Sequence, residues 1–513
     1  MVCGAHAALA AEAAGDAQEA APAAEVVVTI DTAAPANEYS RLLFGGLIEH
    51  FGRQVYGGIF EPGSPLSDEN GFRKDVIAAM KEMNVSVVRW PGGCFASGYH
   101  WQDGVGAERK PVPDPVWGVT DPNTFGTDEF IAWCRLVGTE PYICANAGNG
   151  TPEEMRQWVE YCNAAEGEYA DMRKANGHEK PFNVKYWSIG NENYGFWEIG
   201  RYSPATWAPH VKKCADLMRS VDPDIKLFGP VWRSKPEWYS AVLDAAGDDL
   251  DYISVHQYWI RTSEETPYKN PIGHVEKSFA AIIQNLEKTG HRGKVKIAFD
   301  EWNLRGWHHP GFPRKSPVKP DDEKALAQVA ERSLNDVGKQ YTMADAIFTA
   351  CFLNACLRHS EDVGMANMAP IVNTRGPLFV HPKGIVKRTT FHTFAMYANE
   401  LEDRVVPFHL DAAASGRKID LCDGVATTDA SGKRWAIALV NRSPSQAIAC
   451  KVKLGDRLLD GAFDATRLAG DSPEAFNDID QPDRVVPEKI QLEFNEGVVQ
   501  LPPHSLTIVR IAD

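Results

Sequence analysis

The stretch Lys185-Tyr186-Trp187-Ser188-Ile189-Gly190-Asn191-Glu192-Asn193 has the composition of a buried strand that stops on a carboxylate. Val184, Tyr186, Trp187 and Ile189 are β-branched or aromatic, and Gly190 punctuates the end. A second stretch answers it: Lys296-Ile297-Ala298-Phe299-Asp300-Glu301-Trp302-Asn303 is again an apolar strand running into acid. In a chain that alternates strands and helices, an acid just past a strand's C-terminal end stands where a (β/α)8 barrel keeps its chemistry. Two acids on two strand ends of one barrel can face each other across a cleft, and Glu192 and Glu301 are expected to do so. Glycoside hydrolysis requires that arrangement.

Outward from these stretches the alternation continues. Strands are expected at 42–48, 86–90, 141–145, 184–189, 225–229, 252–256, 295–299 and 363–368. Helical periodicity lies between them, as in Val76, Ile77, Met80 and Met83. This makes eight strand–helix steps over 41–400, the size of a (β/α)8 TIM barrel with insertions. After residue 400 the character changes to short strands, at 435–440, 447–454, 490–494 and 506–511, with Gly, Asp, Ser and Pro between them. The region 401–513 therefore reads as an all-β sandwich. The strand within 25–40, at 26–30, precedes the barrel and is expected to join that sandwich. Residues 1–24 are nearly all Ala, Glu, Gly and Pro, a composition expected to be disordered. Ala8-Leu9-Ala10 resembles a signal-peptidase site, although the basic and apolar regions before it are missing. Either a signal-peptide remnant or a plain Ala-rich tail fits, and export, periplasmic or extracellular, is slightly favoured over a cytoplasmic location.

Bulk properties narrow the function. The chain has 513 residues and a formal charge of −16, which argues for two domains and against a nucleic-acid partner. No basic run suits a membrane surface, and no apolar run spans a bilayer. The ten cysteines are scattered, with no C-x-x-C pair or zinc spacing, so buried free thiols are expected. His308 and His309 are adjacent, point apart and lack a spaced partner, so a loop role is expected. No metal or organic cofactor is anticipated.

Six sites fall at predicted strand ends: Glu49, Arg89 with Cys94, Asn191 with Glu192, His256 with Tyr258, Glu301, and Asn367. To act as an acid near neutrality Glu192 needs a raised pKa, which Trp187, Tyr194 and Trp197 are placed to supply by desolvation. Glu301 must stay ionised to attack carbon, and Arg89 and Tyr258 are the candidate partners. The blander alternatives are a surface ion pair for each Glu, a core ion pair for Arg89, and a satisfied core histidine for His256. Cys94, beside two glycines, has small size as its blander alternative.

These residues sit in motifs that resemble the α-L-arabinofuranosidases of glycoside hydrolase family 51. The motifs are Leu47-Ile48-Glu49-His50-Phe51-Gly52-Arg53, Arg89-Trp90-Pro91-Gly92-Gly93-Cys94-Phe95, Gly126-Thr127-Asp128-Glu129-Phe130, Gly190-Asn191-Glu192, Val255-His256-Gln257-Tyr258 and Asp300-Glu301-Trp302. The resemblance runs from about residue 26 to 513. It implies Glu192 as acid/base and Glu301 as nucleophile, with Asn191 on the sugar 2-hydroxyl. It also implies Glu49 on furanose hydroxyls, Cys94 lining the sugar subsite, and Arg89, His256 and Tyr258 orienting the nucleophile. One departure stands out: many relatives carry a sugar-binding Gln where this chain has Pro370.

The expected function is retaining, exo-acting hydrolysis of terminal arabinofuranosyl residues from arabinan, arabinoxylan or their oligosaccharides. An endo-β-1,4-glucanase or xylan-active hydrolase on the same scaffold is the alternative enzyme. A non-catalytic sugar-binding protein is the alternative of another class, disfavoured because both carboxylates are present. The expected partner is an arabinose-containing oligo- or polysaccharide, and a homo-oligomer is left open.

Overall fold

The computed structural model describes residues 24–259, 272–304, 341–411 and 421–512. Among these, eight parallel strands close a barrel. They are β1 (Gly45–Leu47), β2 (Val87–Trp90), β3 (Glu140–Ala145), β4 (Tyr186–Ile189), β5 (Lys226–Pro230), β6 (Tyr252–Tyr258), β7 (Lys296–Asn303) and β8 (Val363–Met368). Each pairs with the next, and β8 closes on β1. The C-terminal part, joined by the N-terminal strands Ala24–Ile30 and Asn37–Glu38, forms a seven-stranded and a five-stranded sheet stacked as a sandwich. The (β/α)8 barrel with an all-β sandwich is thus the fold.

The helices begin where local chemistry starts them. The Thr151 hydroxyl accepts from Glu154 N at 3.1 Å ahead of the helix Pro152–Asn163, and Pro152 needs no N–H there. The helix Pro204–Val221 opens on a reciprocal Ser203–Thr206 cap. Two helices escaped the sequence reading, Glu168–Ala175 and Thr389–Glu400. The first expected strand is also shorter than 42–48. Ser40 caps a 3-10 turn, Arg41–Phe44, and only Gly45–Leu47 is extended. A Cβ on Gly45 would lie 2.2 Å from Asn367 Oδ1, and one on Gly46 2.3 Å from Ile371 Cδ1. The end of β8 and the chain just beyond it therefore press closely on β1.

The barrel interior is layered by the two-residue period of its strands. Val87, Tyr142, Tyr186, Phe228, Ala298 and Met365 form one apolar cluster, in which Phe228 and Tyr252 stack at 4.3 Å. Two residues further along five of those strands come Arg89, Cys144, Ser188, Asp300 and Asn367, all buried. An apolar plug therefore lies beneath a polar layer at the strands' C-terminal ends.

The helix Met343–Arg358 is buried from Met343 through Leu357, because barrel and sandwich cover opposite sides of it. On the strand Arg434–Asn441, Ala436, Ala438 and Val440 join the barrel-side core, while Trp435, Ile437 and Leu439 join the core between the sheets. The strand Ala24–Ile30 lies inside the five-stranded sheet, antiparallel to Phe408–Asp411 and parallel to Ile448–Leu454.

Candidate active site

β4 ends in a turn only glycine permits. Gly190 has φ +81°, and a Cβ there would lie 2.5 Å from Ala147 Cβ and 2.2 Å from Asn193 Oδ1. Asn193 Oδ1 in turn accepts from Asn191 N at 3.0 Å. Glu192 itself has φ +44°, a left-handed conformation unusual for a side-chain-bearing residue. The turn aims Asn191 and Glu192 over the barrel mouth.

β7 reaches the same place by a bulge. Its register against β6 shifts between Ser254↔Ala298 and His256↔Glu301, and against β8 it shifts twice. Adjacent strand residues ordinarily face opposite ways, but the extra residue lets Asp300 and Glu301 both enter the interior network. Asp300 accepts from Tyr142 Oη and Ser254 Oγ, each at 2.7 Å. Glu301 accepts from Arg89 Nη1 at 2.6 Å and from Tyr258 Oη at 2.7 Å.

His256 lies between the two glutamates. Its Nδ1 is 2.8 Å from Glu192 Oε1 and 3.4 Å from Glu301 Oε2, and its Nε2 is 3.4 Å from Asp300 Oδ1. Oxygens of Glu192 and Glu301 and a His256 nitrogen all lie within 4.8 Å of one another. Burial alone would lower the His256 pKa, but the surrounding carboxylates, Glu301 first, push it up to about 10.

That charge corrects the expectation for Glu192. Burial raises its pKa, as anticipated, but His256, the Trp197 N–H at 2.6 Å and Arg89 together outweigh burial, and the carboxyl is held below its usual value. Tyr194 and Trp197 do flank it, with Tyr194 Oη 3.4 Å away. Trp187 does not: it faces the helix layer, its indole donates to Val184 O, and it packs edge-on against Trp158.

Arg89 joins the rest of the site. Nη2 donates to Asn191 Oδ1 at 2.9 Å and to Cys144 Sγ at 3.3 Å, so the guanidinium spans β2, β3, β4 and β7. Asn191 Nδ2 donates to Glu198 at 2.9 Å. Glu49 Oε1 accepts from Phe95 N and Trp117 Nε1, both at 2.8 Å, while Oε2 is buried and makes no hydrogen bond among the described residues. Gly93 makes room for it, since a Cβ there would sit 2.4 Å from Glu49 Oε2. Burial pushes the Glu49 pKa well up. Cys94 is buried beside this group with its thiol pKa also pushed up by burial.

Asn367 is buried at the end of β8, and its side-chain amide makes no hydrogen bond among the described residues. The backbone beside Pro370 is fixed by Asn303, whose Nδ2 donates to Ala369 O and Arg375 O at 3.1 Å. Two sets of donors converge as a metal site would, Cys94–Glu192–Glu198 and Glu192–His256–Glu301. Both use Glu192, whose two oxygens already accept from His256 and Trp197. His308 and His309 lie outside the described residues. The nine described cysteines are free and buried. No described helix is long and apolar enough to cross a membrane.

Two domain families match this chain: the α-L-arabinofuranosidase 1 domain over residues 79–270 and the α-L-arabinofuranosidase C-terminal domain over 300–505. Alpha-L-arabinofuranosidase C of Emericella nidulans is 36% identical over 393 residues, covering 72% of this chain and 74% of the relative. The chain belongs to the α-L-arabinofuranosidases of glycoside hydrolase family 51. An intracellular exo-alpha-(1->5)-L-arabinofuranosidase of Halalkalibacterium halodurans is 34% identical, covering 72% of this chain and 74% of that one. Among solved structures, the arabinose complex of the Thermotoga maritima α-L-arabinofuranosidase superposes with a TM-score of 0.82. It is 32% identical and covers 95% of this chain and all of that one.

Within this family member, sequence reasoning had passed over Glu198, Trp117 and Tyr142. Tyr142 carried a signal in hindsight, because it stands at an inward position of β3. Glu198 and Trp117 lie on loops without periodicity, and nothing in their spacing pointed inward.

Proposed function

We propose that this glycoside hydrolase is an exo-acting, retaining α-L-arabinofuranosidase that removes terminal arabinofuranosyl residues from arabinan, arabinoxylan or their oligosaccharides. The observation that carries this reading is the close approach of Glu192 and Glu301, with oxygens within 4.8 Å across His256. Retaining enzymes hold their carboxyl groups about 5–5.5 Å apart and inverting ones about 6.5–9.5 Å, leaving room for a water. The short separation favours direct attack by a carboxylate.

In this reading Glu301 is the nucleophile, oriented by Arg89 and Tyr258, and forms a glycosyl ester with the sugar's anomeric carbon. Glu192 protonates the departing oxygen, then takes a proton from the water that cleaves the ester. His256 Nδ1 lies 2.8 Å from Glu192 Oε1, so a proton is within one hydrogen bond of the acid. Asn191 binds the 2-hydroxyl, and a furanose hydroxyl completes Glu49 Oε2, which has no hydrogen bond among the described residues, with Cys94 lining the same wall. The names of the Halalkalibacterium and Thermotoga relatives, one exo-acting and one holding arabinose, support the sugar and the mode of attack.

A panel of aryl glycosides tests the substrate: release from the arabinofuranoside, and not from the glucoside or xyloside, is expected. Two variants test the roles. Glu301→Ala should be inactive on every substrate. Glu192→Ala should retain its first step on a dinitrophenyl arabinofuranoside, stall at the second, and be rescued by azide to yield an arabinosyl azide. First-formed arabinose of inverted configuration, read by proton NMR, overturns the double displacement.

A further inference from the structure

Glu198 is an acid at the site to which this reaction gives no task. It lies six residues after Glu192 on the same loop, with its side chain buried. Its Oε1 accepts from Asn191 Nδ2 at 2.9 Å, and its Oε2 is 2.6 Å from Ser97 Oγ. The Cys94 thiol lies beside it, its sulfur within 4.8 Å of a Glu198 oxygen. Among the described residues the nearby cations are engaged elsewhere, Arg89 with Glu301 and Asp300, and His256 with Glu192, Asp300 and Glu301. A buried carboxylate without a cation is expensive, and the usual resolution is to keep the proton.

We propose that Glu198 is a positioning residue that works as an uncharged carboxyl, fixing the Asn191 amide and keeping further negative charge away from Glu192. The chain of contacts is continuous. Glu198 holds Asn191 Nδ2, Asn191 Oδ1 accepts from Arg89 Nη2 at 2.9 Å, and Arg89 Nη1 donates to Glu301 at 2.6 Å. With both ends engaged the amide cannot flip, and the second N–H of Nδ2 is left for a ligand hydroxyl. Ser97 suits either protonation state, because a hydroxyl both donates and accepts. The titratable groups facing Glu198 are Glu192, Glu49, Cys94, Tyr194 and Cys144, none of which offers a positive charge. Burial, reinforced by Glu192, pushes the Glu198 carboxyl up to about 8.

An unfolded glutamate titrates near 4.3, roughly. Between there and about 8 the folded chain binds the extra proton, so this group erodes stability steadily as pH rises through that window. An amide in its place removes the effect.

The test compares wild type with Glu198→Gln and Glu198→Leu, and only its kinetic arm rests on the arabinofuranosidase reading. Infrared difference spectra near about pH 6 should contain a neutral-acid C=O band in wild type that is absent from Glu198→Gln. The Tm of Glu198→Gln relative to wild type should climb as pH rises from 5 to 8, roughly, and then level off. On an aryl arabinofuranoside, Glu198→Gln should keep kcat/KM within about threefold. Glu198→Leu should lose about 100-fold, the scale of a misplaced contact. That loss should shrink on the 2-deoxy substrate, which has no hydroxyl for Asn191 to hold. The proposal is overturned if the band is absent from wild type, or if Glu198→Gln is as damaged as Glu198→Leu. Should wild type release no arabinose, the activity reading fails, while the infrared and thermal results still decide the state of Glu198.

Discussion

His256 carries the charge that lies between the Glu192 and Glu301 carboxyls, and its effect is testable by pH. Its folded pKa is raised to about 10 from an unfolded value near 6.5, roughly. The stability it contributes is therefore complete below the lower value and lost as pH rises through the higher one. His256→Gln should show a Tm deficit that is widest below about pH 6.5 and narrows as pH rises towards about 10, and a deficit independent of pH would contradict the assignment. The same substitution removes the largest influence holding Glu192 low, so burial should then carry that carboxyl upward. The basic limb of the kcat/KM profile should move to higher pH. At this scale the strand-end positions of Glu192, Glu301 and His256 were legible, because polar residues closing apolar runs are conspicuous. The charge on His256 was not, since it depends on three carboxyls from two distant stretches of chain.

At the scale of elements, two backbone irregularities aim the site: the Gly190 turn after β4 and the bulge in β7. Gly190→Ala places a methyl against Ala147 and Asn193 in a left-handed conformation. It should cost about 1–3 kcal/mol of stability and lower kcat/KM by about 100-fold through misplacement of Asn191 and Glu192. Thermal melts and aryl arabinofuranoside kinetics check both. A variant with wild-type Tm and activity would show that the turn tolerates a side chain. Gly190 was readable as punctuation. The bulge was not, because Phe299-Asp300-Glu301 looks like an ordinary strand end until its neighbours β6 and β8 set the register.

For the whole molecule the helix Met343–Arg358 is the joint. One continuous apolar cluster runs from the barrel through Phe348 and Leu353 to Val425, Ala438 and Ile508 of the sandwich. At its end Arg358 donates to Asp423 Oδ1 at 2.8 Å in the sandwich and to Glu276 Oε1 at 2.6 Å beside the barrel. A shared core predicts a single calorimetric unfolding transition, and two well-separated transitions would contradict it. Arg358→Met leaves the buried Asp423 without its cation and should cost about 3–5 kcal/mol, read as a lowered Tm with the transition still single.

The sequence by itself determined the fold class and the acids that end β4 and β7, because strand and helix periods and strand-end chemistry are local properties of the chain. It also pointed to the site's cation and histidine through their places at other strand ends. Tertiary structure decided what is relational: which way Trp187 faces, where β7 bulges, that His256 is charged, and that Glu198 and Glu49 are buried with no cation paired to them among the described residues. Those facts depend on distances between strands far apart in the chain, and the electrostatic energies that set protonation depend on such distances and on burial, neither of which a linear pattern encodes.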